Sequence, residues 1–254
     1  RKDKAIFQNM ISKQQSMLRN RNASPNVTYN DSLRVAVYGE RKRTQPLTAD
    51  RMNEVSFDRI YQIYNERFGN LAGMNLIITG DIREDDFEEL ICQYVASLPG
   101  KKNTNNDCKP GEYTLDIQEG KVTKVFHKEM ATPSAQTNIV YSAPIAYTAD
   151  TDLMLDVLSQ IMRGIYTEKV REEKGGTYGV NVEGQFWRYP ADGCSMTVSF
   201  RCDPNKYDEL LPVIDQQLQR MATEGSTEEQ LEKVKEYARK NYSRAVLTNG
   251  WWEY

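Results

Sequence analysis

The sequence predicts an α+β protein made of two units of one design that are joined by a linker. Segments with helical apolar spacing alternate with short β-branched runs along the 254 residues. Residues 101–112 are rich in turn formers and have no apolar periodicity, which is typical of a linker. Residues 76–91 also align with residues 196–211, so each side of the linker contains a similar strand–turn–helix pattern.

The part before the linker predicts a helix, a strand and a second helix. Residues 47–69 place aromatic and aliphatic side chains at three- and four-residue intervals, with Thr48 or Ser56 as the N-cap. Residues 74–82, MNLIITGDI, form a short apolar run that favours a buried strand. Residues 85–100 have acidic residues in the first turn, an apolar face and a Pro-Gly stop, which predict a helix.

The part after the linker predicts four strands and three helices. Residues 150–170 carry the widest apolar face in the chain and give the strongest helical prediction. The other predicted elements are strands at 121–130, 135–145, 178–186 and 195–202, and helices near 205–223 and 227–246.

The possible duplication depends on a shift of 120 positions. With that shift, the tetrapeptide that begins at Phe87 (FEEL) falls on the one that begins at Tyr207 (YDEL), and an apolar strand precedes each. Identity is low, and strand–helix pairs resemble one another by chance, so chance similarity remains the alternative.

Charge and hydropathy exclude several classes of partner. The net charge of −3 gives no overall attraction to nucleic acid, and no apolar run approaches the roughly 20 residues of a membrane-spanning helix. The first fifty residues are basic, with ten lysines and arginines against four acidic residues. The cluster at residues 41–43 therefore predicts either a patch for an acidic partner or a solvated loop.

The chain offers few groups for metal binding or nucleophilic catalysis. His127 is its one histidine, and we interpret it as a surface or strand residue. The four cysteines are widely spaced, which favours free buried thiols over a zinc or redox site. Neither a nucleophile elbow nor a phosphate-binding glycine pattern is present. The sequence therefore predicts no catalytic apparatus that functions alone.

One segment, REEKGGTYGVNV at residues 171–182, carries a pattern that loop composition does not explain. Arg171 would lie on the last turn of the preceding helix, Tyr178 would begin a strand, and Gly175 and Gly176 would allow the reversal between them. A guanidinium and a phenol on one side could bind a substrate and a developing oxyanion. The alternative is a helix-terminal arginine favoured by the helix dipole and a tyrosine that packs at a strand edge.

Four stretches in this order resemble the pitrilysin/insulinase family of zinc metallopeptidases. They are MNLIITGDIREDDFEELICQYVASLP, LSQIMRGIYTEKVREEKGGTYGVNV, GSTEEQLEKVKE and NGWW. The resemblance covers essentially the whole chain, and it is closest to the C-terminal half of bacterial zinc proteases with four homologous domains. It implies two homologous, truncated α/β sandwich units whose mostly antiparallel sheets carry helices on one face.

The resemblance also implies domain limits and site residues. Residues 1–100 would be the C-terminal part of a third domain, 101–120 a linker, and 121–254 most of a fourth domain. Tyr178 would stabilise the tetrahedral intermediate and Arg171 would hold substrate backbone or a carboxylate, while Gly175 and Gly176 set their separation. In the family the zinc motif lies in the N-terminal half, and one histidine cannot supply it here.

The sequence therefore predicts a substrate-enclosing fragment of a zinc endopeptidase that degrades peptides or small proteins. Its partners would be a peptide and the zinc-bearing N-terminal half, and the fragment alone is expected to bind no catalytic zinc and to be inactive. Both ends look cut, and the resemblance favours a bacterial envelope location over the cytoplasm. Two alternatives stay open: a non-catalytic family member that acts as a scaffold, and a protein-binding α+β module that uses residues 41–43.

Overall fold

A computed structural model of the chain describes residues 3–100, 116–172, 177–189 and 191–252, without the side chains of residues 84, 171, 172, 177 and 178. The linker predicted at residues 101–112 lies outside this description.

Helices predominate over strands in the described residues. The α-helices are α1 (Lys4–Asn20), α2 (Pro25–Tyr38), α3 (Phe57–Phe68), α4 (Glu84–Leu90), α5 (Ala149–Tyr166), α6 (Tyr207–Glu224), α7 (Glu228–Ala245) and α8 (Asn249–Trp252). The strands are β1 (Ala135–Ala143), β2 (Thr177–Trp187) and β3 (Gly193–Cys202). Two π-helical turns, Ile91–Val95 and Thr167–Glu172, extend α4 and α5. This mixture of helices with an antiparallel sheet confirms the predicted α+β class.

The described residues fall into two compact units. One lies within Arg1–Val27, Pro46–Gly111 and Asn241–Tyr254, and the other within Thr28–Gln45 and Glu112–Lys240. The domain limits that the family resemblance implies, near residues 100 and 121, stay a prediction.

The second unit contains a three-stranded antiparallel sheet in the order β1-β3-β2. Ala135 to Ala143 of β1 pair without a break with Cys202 to Cys194 of β3. Alternate residues of β3 from Cys194 to Cys202 are buried, so their side chains share one face of the sheet. The residues between them, including Thr197, Ser199 and Arg201, occupy the opposite face.

Helices α5 and α6 cover the apolar face of this sheet. Met162 and Tyr166 of α5 and Leu210 and Ile214 of α6 are fully buried in one core cluster with Val182, Val198 and Phe200 of the strands. A capping box begins α5: the Thr148 hydroxyl accepts from the Thr151 N–H, and the Thr151 hydroxyl accepts from the Thr148 N–H. Helices α5 and α6 therefore pack on the same face of the sheet.

The first unit consists of helices and loops in its described part. Ser56 caps α3, as one of the two sequence alternatives predicts, by accepting from the Arg59 N–H. Phe57 on α3 packs against Phe7 of α1 at 5.1 Å between ring centroids. The predicted helix at residues 85–100 forms as α4 and the π-helical turn that follows it.

Two strand predictions are wrong. Residues 74–82 and 121–130 form no strand within the described parts of the chain. Leu76, Ile77 and Ile78 are 56%, 73% and 44% exposed, so the run is not buried either. The β-branched residues of these runs are typical of strands. A strand also needs a hydrogen-bonded neighbour, and the described residues supply none for either run.

Candidate functional site

The two ends of the Arg171–Tyr178 segment are backbone irregularities. Arg171 lies in the π-helical turn Thr167–Glu172, which continues α5, and Tyr178 is the second residue of β2. Gly175 and Gly176, which the sequence predicts to form the reversal, lie outside the described residues, as do the side chains of Arg171 and Tyr178. The backbone therefore confirms a helix end and a strand start at these positions, while the joint orientation of the two side chains stays a prediction.

Tyr178 lies within a β-bulge. Thr177 pairs with Cys202 and Val180 pairs with Phe200, so Tyr178 and Gly179 together stand opposite the single residue Arg201. An extra residue of this kind bends its strand, and bulges are frequent beside active sites, where they redirect a side chain. Single π-helical turns are likewise frequent at functional sites.

The packing behind the segment is tight. Tyr166 and Val170 are fully buried, and the Tyr166 hydroxyl donates to the Ile214 carbonyl oxygen at 3.2 Å. Burial raises the pKa of the Tyr166 phenol well above its usual value. These contacts fix the helix end from which Arg171 departs, because a fully buried aromatic ring leaves little room for movement.

Tyr141 also packs against the core cluster that contains Tyr166. Tyr141 of β1 donates to Asp215 Oδ1 at 3.3 Å, and its pKa rises to about 12 because of burial and of the nearby Asp215 carboxylate. Both phenols therefore hold their protons more firmly than an exposed tyrosine does.

The helix and the sheet meet most closely at Gly184 of β2. A Cβ atom there would lie 2.6 Å from Leu155 Cγ and 2.7 Å from Ser159 Oγ, both on α5. Nearby, Arg163 Nη2 of α5 donates to the Val182 carbonyl oxygen at 2.5 Å. The position of β2 relative to α5 is therefore set by steric contact and by a charge-assisted hydrogen bond.

The sheet face opposite the helices forms a shallow depression of about 380 Å³ beside the bulge. Residues from all three strands line it, among them Gln136, Asn181, Ser199 and Arg201. Arg201 Nη2 donates to Gln136 Oε1 at 2.8 Å, and Asn181 Nδ2 donates to Glu183 Oε1 at 2.7 Å. These residues were not predicted as a site, although the polar residues Thr197, Ser199 and Arg201 alternate along the sequence.

The described residues do not fit a zinc site. No group of three or more histidine, cysteine, aspartate or glutamate side chains in that part of the chain could hold a metal ion. His127 is exposed, which agrees with a surface residue, and it lies outside any described strand.

The cysteines that the structure describes are free. Cys194 and Cys202 are buried thiols, and burial raises the pKa of each. Cys92 is exposed, so the expectation of buried thiols was wrong for this residue.

Comparison with known proteins assigns the chain to a family. The sequence model described as "Peptidase M16 inactive domain" matches residues 54–237. The chain belongs to the peptidase M16 inactive-domain family. The resemblance to the pitrilysin/insulinase zinc peptidases is thereby confirmed.

Two relatives of this M16 chain are named zinc proteases. It is 24% identical over 170 residues to the probable zinc protease PqqL of Escherichia coli (strain K12), a match that covers 65% of this chain and 17% of the relative. It is 21% identical over 249 residues to a zinc protease PQQL-like protein of Arabidopsis thaliana, covering 92% and 26% respectively. The chain thus matches only about a sixth to a quarter of the length of these relatives.

Solved structures share the fold of the M16 chain. The periplasmic protease PqqL from Escherichia coli superposes with a TM-score of 0.77 at 20% identity, over 97% of this chain and 27% of that one. The ferredoxin protease FusC in complex with Arabidopsis ferredoxin superposes with a TM-score of 0.64 at 15% identity, over 92% and 25%. Within the described residues of this chain, no helix has both the length and the apolar character that crossing a bilayer requires.

Proposed function

We propose that this M16 chain is the substrate-enclosing C-terminal part of a zinc-dependent endopeptidase that degrades peptides or small proteins. The observation that carries the proposal is that the Arg171–Tyr178 segment runs from a π-helical turn to a β-bulge. A regular helix and a regular strand contain neither feature, and both features are frequent at functional sites. The zinc proteases among the relatives support the reaction class.

In this proposal Tyr178 donates its phenolic hydrogen to the oxyanion that develops on the scissile carbonyl. Such a donor acts in the transition state more than in the ground state, so it accelerates the chemical step. Arg171 presents a planar fork of N–H donors to the substrate backbone or to a carboxylate. Gly175 and Gly176 set the separation of the two residues, because glycine accepts the backbone angles that a tight reversal requires.

The zinc ion, its water nucleophile and the general base come, we propose, from an N-terminal half outside this chain. When bound there, zinc activates water for attack on a peptide carbonyl. The described residues contribute no ligand set for it. The word "inactive" in the family description agrees with a domain that needs a zinc-bearing partner.

We further propose that the chain comprises parts of two homologous domains, with limits at residues 100 and 121. The positions of two helical segments support this. Helix α4 begins at Glu84, and the 3-10 turn before α6 begins 120 positions later at Pro204. A periplasmic or envelope location fits the periplasmic protease PqqL.

The test is Tyr178→Phe in the full-length parent protein. Loss of the hydroxyl is expected to lower kcat roughly 10- to 1000-fold, with a smaller change in KM, because the donor acts on the transition state. Tyr189→Phe is the matched control, since Tyr189 lies between β2 and β3 and is 73% exposed. Unchanged kcat in Tyr178→Phe would overturn the catalytic role.

The scaffold alternative is separated by the metal content of the parent. A catalytic parent contains about one zinc ion per chain and cleaves a peptide, as three protein ligands and an open position permit. A parent without zinc that still assembles with a partner subunit would support the scaffold instead.

A further inference from the structure

We propose that Arg163 is a positioning residue for the reaction, because it joins the two backbone irregularities that bound the Arg171–Tyr178 segment. This inference rests on the proposed function, which places Tyr178 at the scissile carbonyl. Arg163 does not touch the substrate. It acts through the backbone of β2, whose bulge determines where Tyr178 stands.

The side chain of Arg163 forms the first of two links. Arg163 Nη2 donates to the Val182 carbonyl oxygen at 2.5 Å. Val182 lies two residues after Val180, where regular pairing with β3 resumes beyond the bulge. Among the described strands, β2 has a neighbour on one side only, since the order is β1-β3-β2. The bond from α5 therefore ties the first regular residues of β2 to the helix.

The main chain of Arg163 forms the second link. Its carbonyl oxygen accepts from the Thr167 N–H and, at 2.8 Å, from the Thr167 hydroxyl. Thr167 is the first residue of the π-helical turn that contains Arg171. One residue thus contacts the start of the π-helical turn with its backbone and the start of regular β2 with its side chain.

The link to Val182 specifies the register of β2. Leu155 and Ser159 of α5 would meet a Cβ atom placed at Gly184. Arg163 follows Ser159 by one helical turn, about 5.4 Å, and bonds two strand residues further along, about 6.8 Å. Successive carbonyl groups of a strand point to opposite edges, so a slip of one residue would turn the carbonyl away from the guanidinium.

The position of Tyr178 depends on this register. Tyr178 and Gly179 share the bulge, so moving the bulge by one residue displaces the Tyr178 backbone by about 3.4 Å along the strand. A displacement of about 1 Å at a reacting group can lower turnover by about 100-fold. Without the Arg163 bond, β2 populates shifted registers, and the chemical step slows more than substrate binding weakens.

Steady-state kinetics of the full-length parent protein test the inference. Arg163→Met keeps the aliphatic stem, removes the donors and leaves the main-chain bonds to Thr167 in place. It is expected to lower kcat about tenfold and to change KM less than about twofold. Arg163→Lys keeps a charged donor and should restore part of kcat. Arg220→Met is the matched control with unchanged kcat, since Arg220 is an exposed arginine of α6 that bonds to Glu224.

The same substitution in a Tyr178→Phe background separates positioning from general damage to the fold. With the hydroxyl absent, Arg163→Met is expected to lower kcat less than about twofold, because no donor remains to be misplaced. An equal loss in both backgrounds, an unchanged kcat in Arg163→Met, or the same loss in Arg220→Met would overturn the inference.

Hydrogen exchange distinguishes this inference from the proposed function. Peptides that cover residues 177–183 are expected to exchange faster in Arg163→Met than in Arg220→Met, while peptides of β1 exchange alike. Unchanged kcat in Tyr178→Phe overturns the catalytic role of Tyr178, and faster exchange would still support the anchoring of β2 by Arg163. Lowered kcat in Tyr178→Phe, together with unaltered exchange and kcat in Arg163→Met, overturns the role of Arg163 alone.

Discussion

Replacement of Gly184 by alanine tests the closest contact between the sheet and its helix layer. The new methyl carbon would lie 2.6 Å from Leu155 Cγ, 2.7 Å from Ser159 Oγ and 3.2 Å from Leu155 Cδ1. Carbon atoms in good contact are about 3.5–4.0 Å apart, so α5 or its side chains must retreat by roughly 1 Å. Ser159 cannot turn away easily, because its hydroxyl is bonded to the Leu155 carbonyl oxygen at 2.7 Å and its side chain is buried.

The expected change in stability follows from two opposing effects. Overpacking of a filled core costs about 1–3 kcal/mol. The loss of glycine flexibility in the unfolded chain returns about 0.4–1 kcal/mol. Gly184→Ala should therefore lower the free energy of unfolding by up to about 2.6 kcal/mol, and Tm should fall by up to about 10 °C for a chain of this size.

Urea and thermal unfolding, followed by circular dichroism, measure the effect. Gly164→Ala is the matched control. Gly164 lies on α5, the helix that Gly184 contacts, and its added methyl carbon would meet nothing within 4 Å. Helix propensity alone then raises stability by about 0.5–1 kcal/mol. Leu155→Ala combined with Gly184→Ala should be less destabilising than the sum of the two changes. A Gly184→Ala protein as stable as the Gly164→Ala protein would refute the steric argument.

Two further predictions concern the core edge and the start of α5. Because the pKa of Tyr141 is raised to about 12, its folded form holds the proton more tightly than the unfolded form does. Its contribution to stability is therefore complete below about pH 10 and lost as pH rises towards 12, and Tyr141→Phe should flatten that decline in urea titrations; an unaltered slope would contradict it. Thr148→Ala removes the cap that accepts from the Thr151 N–H and should lower the free energy of unfolding by about 1 kcal/mol, while a change below the error of denaturant titration would show that the cap is dispensable.

Elements whose stability comes from local pattern and from the main core were predictable. Helix α3 begins after Ser56 and α5 follows the wide apolar face, because capping and amphipathic spacing are written in consecutive residues. Strands β1, β2 and β3 were predicted within a few residues, since their apolar residues alternate with polar ones. Helix α2 was missed, although Pro25 at its first position is a favourable start signal.

Features that depend on partners distant in sequence were not predictable. Residues 74–82 have the composition of a strand, but pairing decides whether one forms. The bulge at Tyr178 and Gly179 depends on how β2 registers with β3, and no local residue type specifies that count. Arg201 became a candidate only when the register placed it opposite the bulge and beside Gln136. The roles of Arg171 and Tyr178 stay predictions, made from their spacing and from the family resemblance.

The extra residue in β2 separates residues before the bulge from the buried residues after it, and the two groups are constrained differently. Side chains along a strand alternate with a period of two, so a one-residue insertion within a regular strand would turn the inward residues beyond it to the other face. Here Thr177 and Val180 already differ by one step in phase, and Val180 and Val182 remain inside. A change of one residue before Val180 can thus be accommodated at the bulge, while Val180 and Val182 keep their places in the core.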